Sequence, residues 1–394
     1  MTISGFDCLI VGRGIVGLAH ALAAVRHGLR TAVVDRETRA VGASVRGFGC
    51  VTVTGQPAGL TWRRARRSRE VWADLAAQAG IAIQQRGLLV AARRDESLAV
   101  IEEFAAGPMG GGCRVLRGKG IAALSPPLRR RLPGALYSPH ELCLDSREAT
   151  PRLAAWLGGA HDVRFLPPAA VLDVAQGRAG TSAGTITARH IIVCPGPDLL
   201  GLFADEHAQR NLTLCKQHML RLAAPAWRLP AAVMSDLGLL RHPGYAACPS
   251  LPALRGRIAV EQAHWLADGI DLLAVQGADG SLVVGSSHQA HPSPDPFQPR
   301  DIDDRILAEL AAVLDLPTPA VVERWLGVCP TGADAAVMAA PEPGIRLVNV
   351  SGGNGTSTAF AIAEETLADL LGLPPPAHVP ADPPEQPLPT LPAP

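Results

Sequence analysis

Three stretches of this chain predict an α/β fold in which a discontinuous Rossmann-like domain is interleaved with a β-rich (α+β) one. In residues 8–35 an apolar strand runs into Gly12-Arg13-Gly14-Ile15-Val16-Gly17, then an Ala-rich amphipathic run, then Thr31-Ala32-Val33-Val34-Asp35. Further on, Ile191-Ile192-Val193-Cys194-Pro195-Gly196 is an apolar strand entering a turn. Near the C-terminus, Ile345-Arg346-Leu347-Val348-Asn349-Val350 leads through Ser351-Gly352-Gly353-Asn354-Gly355-Thr356 into a long helix. Strand, glycine turn, helix and a second strand ending in an acid form a dinucleotide-binding βαβ unit. Gly12 permits the tight turn, Gly14 the approach of a pyrophosphate, and Gly17 the close packing of helix on strand. The helix start, with Ile15 and Val16, presents unpaired N–H groups to phosphates, and Asp35 can accept from both ribose hydroxyls.

The remaining elements follow from pattern. Residues 36–49, rich in Gly, Arg and Ser, are too irregular for a helix or strand. A helix is expected over 61–79, strands at 81–83 and 87–91, a helix near 95–106 and a glycine-rich loop over 107–112. Asp145 or Ser146 caps another helix. Strands and turns alternate over 163–193. Short strands are expected at 212–222, 257–261, 272–276 and 282–285, and a helix over 301–314 with Asp301 near its start. The last helix runs to about residue 371. Ten prolines in the 21 residues 374–394 predict a disordered tail. The expected nucleotide-binding domain therefore comprises 1–80, 141–205 and 325–373, and the second domain 81–140 and 206–324.

Composition narrows the function. The chain has 394 residues, 47% of them hydrophobic but only 4% aromatic, so aliphatic side chains must fill a large core. Lys+Arg and Asp+Glu balance at 36 each, which argues against nucleic acid as a partner. The local run Arg63-Arg64-Ala65-Arg66-Arg67-Ser68-Arg69 is expected to be a solvated helix face, with Trp62, Ala65, Trp72, Leu75 and Ala76 inward. Eight cysteines stand singly, without CxxC or zinc spacing, so no metal site is expected. Cys8 and Cys194 lie in apolar strands as reduced, buried thiols, and a cytoplasmic location is expected. No apolar run reaches membrane-spanning length and no signal peptide is evident. No GxSxG elbow or paired carboxylates suggest hydrolase chemistry.

A nucleotide domain built from three separated segments suits a flavoprotein. On these motifs the chain resembles the FAD-dependent D-amino-acid oxidase superfamily, the group of glycine oxidase and sarcosine oxidase. Three stretches are similar to a clade associated with phosphonate catabolism: Ala43-Ser44-Val45-Arg46-Gly47-Phe48-Gly49 with Gly55-Gln56, Leu214–Arg221, and Gly285-Ser286-Ser287-His288. The resemblance implies non-covalent FAD with its pyrophosphate over Gly12, Gly14 and Gly17 and its ribose on Asp35, followed by Arg36. It places Ala43, Ser44 and Arg46 beside the flavin, Val171 at adenine, and Cys194 and Gly196 in a supporting turn. Gly353, Asn354, Gly355 and Thr356 would lead into the helix whose positive end faces the flavin.

Departures from the family bear on the substrate. Glycine-oxidase-like members carry an arginine two residues after Trp-x-Gly to clamp a carboxylate. Here Trp325-Leu326-Gly327-Val328 is followed by Cys329, and a second family arginine corresponds to Gly353. Cys329 is expected to line the pocket as a plain thiol, offset from the cysteine that carries covalent flavin in sarcosine oxidases. Candidates for meeting a substrate anion are Arg46, Lys216, His218, Arg221 and His288. Arg46 suits a cofactor phosphate or a structural role equally, and His288 a structural role. Lys216 and His218 share one strand face and Arg221 takes the other.

The resemblance implies oxidation of a small amine, either an aminophosphonate or an amino acid. Hydride would pass from the carbon bearing nitrogen to flavin N5, the imine would hydrolyse to a carbonyl, and O2 would be reduced to H2O2. The alternative is a flavin-dependent dehydrogenase of an amine or hydroxy acid, passing electrons to a quinone or another carrier.

Overall fold

The structure is a computed structural model that describes residues 2–124, 128–129, 131–316 and 320–378. The proline-rich tail expected from 374 lies outside the described residues beyond 378.

One eight-stranded sheet is organised around Thr2–Val11. Its main path runs Ala336–Ala339, Ile345–Val350, Gly184–Val193, Thr2–Val11, Thr31–Val34 and Arg164–Phe165. All neighbours are parallel except the first pair. Thr31–Val34 is buried throughout, as a parallel strand covered on both faces must be. The helices Ile15–Arg26, Leu60–Gln78 and Gly355–Leu370 pack on one face, where Trp72 meets Phe360 edge-on at 5.0 Å between ring centroids. The hairpin Val171–Ala175 and Arg178–Thr181 extends the Gly184–Val193 strand on the other side.

A second, ten-stranded sheet is antiparallel apart from one pair, Ile83–Ala92 with Ala232–Ser235. The helices Asp95–Ala106, Leu251–Glu261 and Arg300–Val313 contribute Ile101, Phe104, Ile258 and Ile306 to its core. The short strand Cys50–Val51 and the long strand Val321–Thr331 both belong to this sheet, across the expected boundaries at 80 and 325. The sheets are pinned together beside their junction. Arg147 stacks on Trp325 at 4.5 Å and pairs with Glu323, and Trp325 Nε1–H donates to the Arg46 carbonyl at 2.8 Å.

Four local expectations are corrected. Residues 36–49 contain a single helical turn, Ala43–Arg46. Residues 81–91 are not two strands: Ile83–Ala92 is continuous, with Gly87 at φ +83° absorbing a register irregularity. Residues 257–261 end the helix Leu251–Glu261. There Leu254 and Ile258 bury one face, and Arg257 pairs with Glu261 one turn on. The arginine run is not a solvated face, because Arg64 and Arg66 are buried. Arg64 pairs with Glu365 and Arg67 with Glu364, which ties Leu60–Gln78 to the last helix. Asp145 proves to be the cap, its Oδ1 accepting from Arg147 N–H at 2.9 Å.

His20 is fully buried on the helix Ile15–Arg26. Its Nδ1–H donates to the Val16 carbonyl at 2.7 Å, and Nε2 finds no partner among the described residues. Burial pushes its pKa from 6.5 down to about 4. A folded-state pKa below the unfolded one means that this contribution to stability is complete above pH 6.5 and is lost as pH falls towards 4. Urea unfolding at fixed FAD concentration is expected to show a loss between pH 7 and pH 5 that is about 2 kcal/mol smaller in His20→Leu, buried histidines such as His288 supplying the rest.

Candidate active site

Two contiguous cavities cross the molecule. One follows the glycine turn and the C-terminal ends of the parallel strands. The other continues between the two sheets, and the walls share Ala43, Ser44, Arg46, Gly196 and Val328.

The first cavity is shaped by main chain. Gly12 has φ +107°, and a Cβ there would overlap the Cys194 carbonyl oxygen. A Cβ on Gly17 would overlap the Gly12 carbonyl oxygen, so helix and turn touch backbone to backbone. Ser44 sits over the helix start. Its Oγ accepts from Ile15 N–H at 2.9 Å and lies 3.0 Å from where a Gly14 Cβ would be. Asp35 is held by two main-chain donors, Arg13 N–H at 2.8 Å and Glu37 N–H at 2.9 Å, which leaves lone pairs for a diol. Arg36 lines the same end and pairs with Asp198 at 3.1 Å. Val171 and Cys194 complete the wall, and Asn349 Nδ2–H donates to the Gly196 carbonyl at 2.9 Å.

At the junction, the start of Gly355–Leu370 forms one wall. Gly352 and Gly353 have φ +66° and +74°, and a Cβ on Gly353 would meet nothing within 4 Å. Asn354 and Thr356 are tethered from behind. Gln56 Nε2–H donates to Asn354 Oδ1 at 3.0 Å, and Trp72 Nε1–H to the Thr356 carbonyl at 2.9 Å. The facing wall comes from the second sheet: Gln217, Arg241, His242, Asp271, His288 and Cys329 among apolar residues such as Leu88 and Met234.

The polar groups on that wall form one network. His242 Nε2 is 3.2 Å and Arg241 Nε 3.9 Å from Asp271 Oδ2. Burial alone would raise the Asp271 carboxyl, but His242, His288 and Arg241 outweigh it and hold the pKa at about 2. Asp271 is thus an anion surrounded by cationic and imidazole groups. His288 Nδ1 lies 3.1 Å from Gln217 Nε2 and its Nε2 3.0 Å from Ser286 Oγ. Burial lowers the pKa of His288, which favours the neutral ring.

The substrate candidates from sequence separate into two groups. Arg46, His288 and Cys329 line the junction cavity, but Arg46 spends its guanidinium on the Val41 carbonyl at 2.8 Å and the Leu326 carbonyl at 3.4 Å. Lys216, His218 and Arg221 do not line it. Lys216 and His218 do share a face, but that face meets Asp295 at 2.8 Å and Asp303 at 3.2 Å. Arg221 donates to Ser281 Oγ at 2.9 Å, at the far end of the strand. Gln217, on the alternate face, reaches the cavity instead. Sequence reasoning missed Arg241, His242 and Asp271. The available signal was charge in the short segments bordering the apolar strands Ala232–Ser235 and Leu273–Gln276.

These residues fit FAD. The glycine turn brings the start of the helix Ile15–Arg26 to a pyrophosphate, although Ile15 N–H itself is taken by Ser44; Asp35 is set for a ribose, and the junction presents a second helix start at Gly355–Leu370. Because a Cβ at Gly12 collides with a carbonyl, Gly12→Ala is expected to weaken FAD binding at least tenfold. Equilibrium dialysis with free FAD would measure this, with circular dichroism reporting separately how much of the fold the substitution costs.

Residues 7–370 match the family DAO, FAD dependent oxidoreductase. No curated protein matches the sequence. Among solved structures the fold is similar to glycine oxidase from Geobacillus kaustophilus, at TM-score 0.73 and 19% identity over 93% of this chain and 94% of that one. It is also similar to L-proline dehydrogenase from P. horikoshii (TM-score 0.75, 16% identity, 93% of each chain). A third similar fold is FAD-bound L-alpha-glycerophosphate oxidase from Mycoplasma pneumoniae (TM-score 0.72, 16% identity, 94% and 95%). With the family matched over nearly the whole chain, the chain belongs to the DAO family of FAD-dependent oxidoreductases.

Proposed function

We propose that the protein oxidises the C–N bond of a small amine that carries an anionic group, an aminophosphonate or an amino acid, with O2 as electron acceptor. The observation that carries this reading is the guanidinium of Arg241 in the junction cavity. Its one recorded ion pair among the described residues is the long contact from Nε to Asp271, so the ends of the guanidinium remain available to a ligand. Cys329 stands where glycine-oxidase-like proteins place their carboxylate clamp, and Arg241 supplies a cation from a different element, the short helix Leu237–Arg241. A phosphonate or carboxylate is well matched to such a fork. A glycine oxidase among the similar folds agrees with an amine substrate.

Bound FAD supplies a two-electron acceptor for the C–H bond beside nitrogen. The chain binds and orients the substrate. Arg241 holds the anion, Asp271 holds Arg241 and is itself met by His242, and Gln217 and Ser286 fix the ring of His288. Apolar neighbours such as Leu88 and Met234 exclude water, which favours a neutral amine over an ammonium. The released imine hydrolyses to a carbonyl compound and ammonia.

Anaerobic mixing with candidate amines tests the reading through bleaching of the flavin colour. Aminophosphonates, glycine, sarcosine and D-amino acids would be compared with amines of similar size lacking the anion. An anionic amine is expected to bleach the holoenzyme. Arg241→Met should raise its half-saturating concentration about 30- to 160-fold, as loss of a charge-assisted contact worth about 2–3 kcal/mol implies, with a smaller effect on the limiting rate. Equal bleaching by uncharged amines, or an unchanged half-saturation in Arg241→Met, would refute the assignment.

A further inference from the structure

We propose that Cys215 and Cys329 are a reversible oxidation site on the wall of the catalytic cavity, where hydrogen peroxide closes the two thiols into a cross-strand disulfide. The physiological source of peroxide rests on the O2-dependent reading above, whereas the chemistry of the pair does not.

The two cysteines are direct partners in the antiparallel register of Thr213–Leu222 and Val321–Thr331. Opposite residues in such a pair hold their Cβ atoms about 4.5–5.5 Å apart, close to the separation that a disulfide spans. The same sheet already carries a bridge built this way. Cys50 lies opposite Cys143 in the register of Cys50–Val51 and Gly134–Leu144, and the two are disulfide-bonded. That bridge departs from the expectation of isolated reduced cysteines, and it shows that this sheet tolerates the linkage.

The surroundings of Cys215 and Cys329 set them apart from the other free thiols. Burial pushes Cys8 and Cys113 up to about 12 and raises Cys194 and Cys248 as well, so these stay protonated and inert. The Cys215 thiol is instead held well below its ordinary value by a hydrogen bond from Cys329, against the effect of burial, with His288 Nδ1 3.8 Å away. Cys329 is correspondingly raised, chiefly by the same bond, and so keeps its proton. The two facing thiols and His288 thus form one site in which loss of a proton from Cys215 is favoured. Cys329 and His288 line the cavity, and Cys215, buried behind them, is the strand partner of the one and lies 3.8 Å from the other, so an oxidant released there meets the site through these two residues.

The reaction balances with peroxide as the oxidant. The Cys215 thiolate attacks one peroxide oxygen, the O–O bond breaks, and sulfenic acid and hydroxide form. The Cys329 sulfur then attacks the sulfenic sulfur, the S–O bond breaks, and water leaves. The proton first lost by Cys215 neutralises the hydroxide. Two thiols and one H2O2 become one disulfide and two waters, with two electrons passing from sulfur to oxygen.

The test treats reduced holoenzyme with added H2O2 in the absence of amine, alkylates the remaining thiols and maps non-reduced peptides by mass spectrometry. A linked peptide joining Cys215 to Cys329 is expected to accumulate with dose and to disappear on treatment with dithiothreitol. Cys8 and Cys194 should stay alkylatable after unfolding. Cys215→Ser should abolish the link, and retention of the flavin spectrum would verify that this variant is folded. If both cysteines remain free, or reach sulfinic acid with no link, the proposal is overturned. A second arm repeats the mapping during aerobic turnover, with and without catalase. A link with added peroxide but none during turnover would uphold the site and count against the peroxide-producing reading.

Discussion

The structure depends on a contact between main-chain atoms. Gly17 on the first helix lies so close to the Gly12 carbonyl, and Gly12 to the Cys194 carbonyl, that neither position can accept a methyl group. This contact draws the helix start of Ile15–Arg26 down onto the strand ends Val11 and Val193, where the first cavity opens. Hydrogen bonds then build outward from it. Arg13 N–H fixes Asp35, Ile15 N–H fixes Ser44, and Ser44 opens the loop that carries Arg46 towards the second sheet. An added Cβ on Gly355 would meet Ile15 at 3.4 Å, an ordinary contact, and the start of the last helix is held facing the junction by side chains, Gln56 on Asn354 and Trp72 on the Thr356 carbonyl. The first helix start is therefore positioned by glycine packing and the last by side-chain hydrogen bonds.

Charge is used in two ways around this frame. Away from the cleft, arginines are consumed. Arg64 and Arg67 hold Glu365 and Glu364, and Arg147 holds Glu323 and covers Trp325; Arg46, although on the cleft wall, also closes on carbonyls. Such groups stabilise one arrangement of helices and sheets and have little left to offer a ligand. Inside the junction the balance is reversed. Asp271 stays ionised in a buried setting because three neighbours oppose its desolvation, and Arg241 reaches it only at 3.9 Å. The second sheet thus delivers a charged, incompletely satisfied network to the face where the first sheet delivers a cofactor cradle.

Legibility in the sequence followed the range of the underlying constraint. The glycine turn, Asp35, the Asp145 cap and the loop at 351–356 were readable because each is set by backbone conformation within a few residues. The helix Asp95–Ala106 was readable from its apolar period alone. Residues 257–261 misled because a short apolar–polar alternation fits a strand and a helix end equally well, and only the burial of Leu254 with Ile258 decides. The arginine run misled because its anionic partners lie some three hundred residues away on the last helix. Lys216 and His218 were placed on a common face correctly, but which face meets the cavity depends on where Arg300–Val313 packs, through Asp303. Arg241, His242 and Asp271 left no motif, since a turn, a short helix and a strand entry meet only in three dimensions. The cross-strand cysteine partners were hidden for the same reason, because strand register is not local information.

The central claim is that one cleft, begun by the glycine turn and completed by the second sheet, holds the whole cofactor with its ring at the junction. A crystal structure of the protein grown with FAD tests this most directly. The account predicts electron density for the pyrophosphate over Gly12–Gly17, and for the tricyclic ring between Gly353–Thr356 and the wall of Arg241, His242 and His288. A junction filled by side chains, or a ring seated anywhere else, would contradict it.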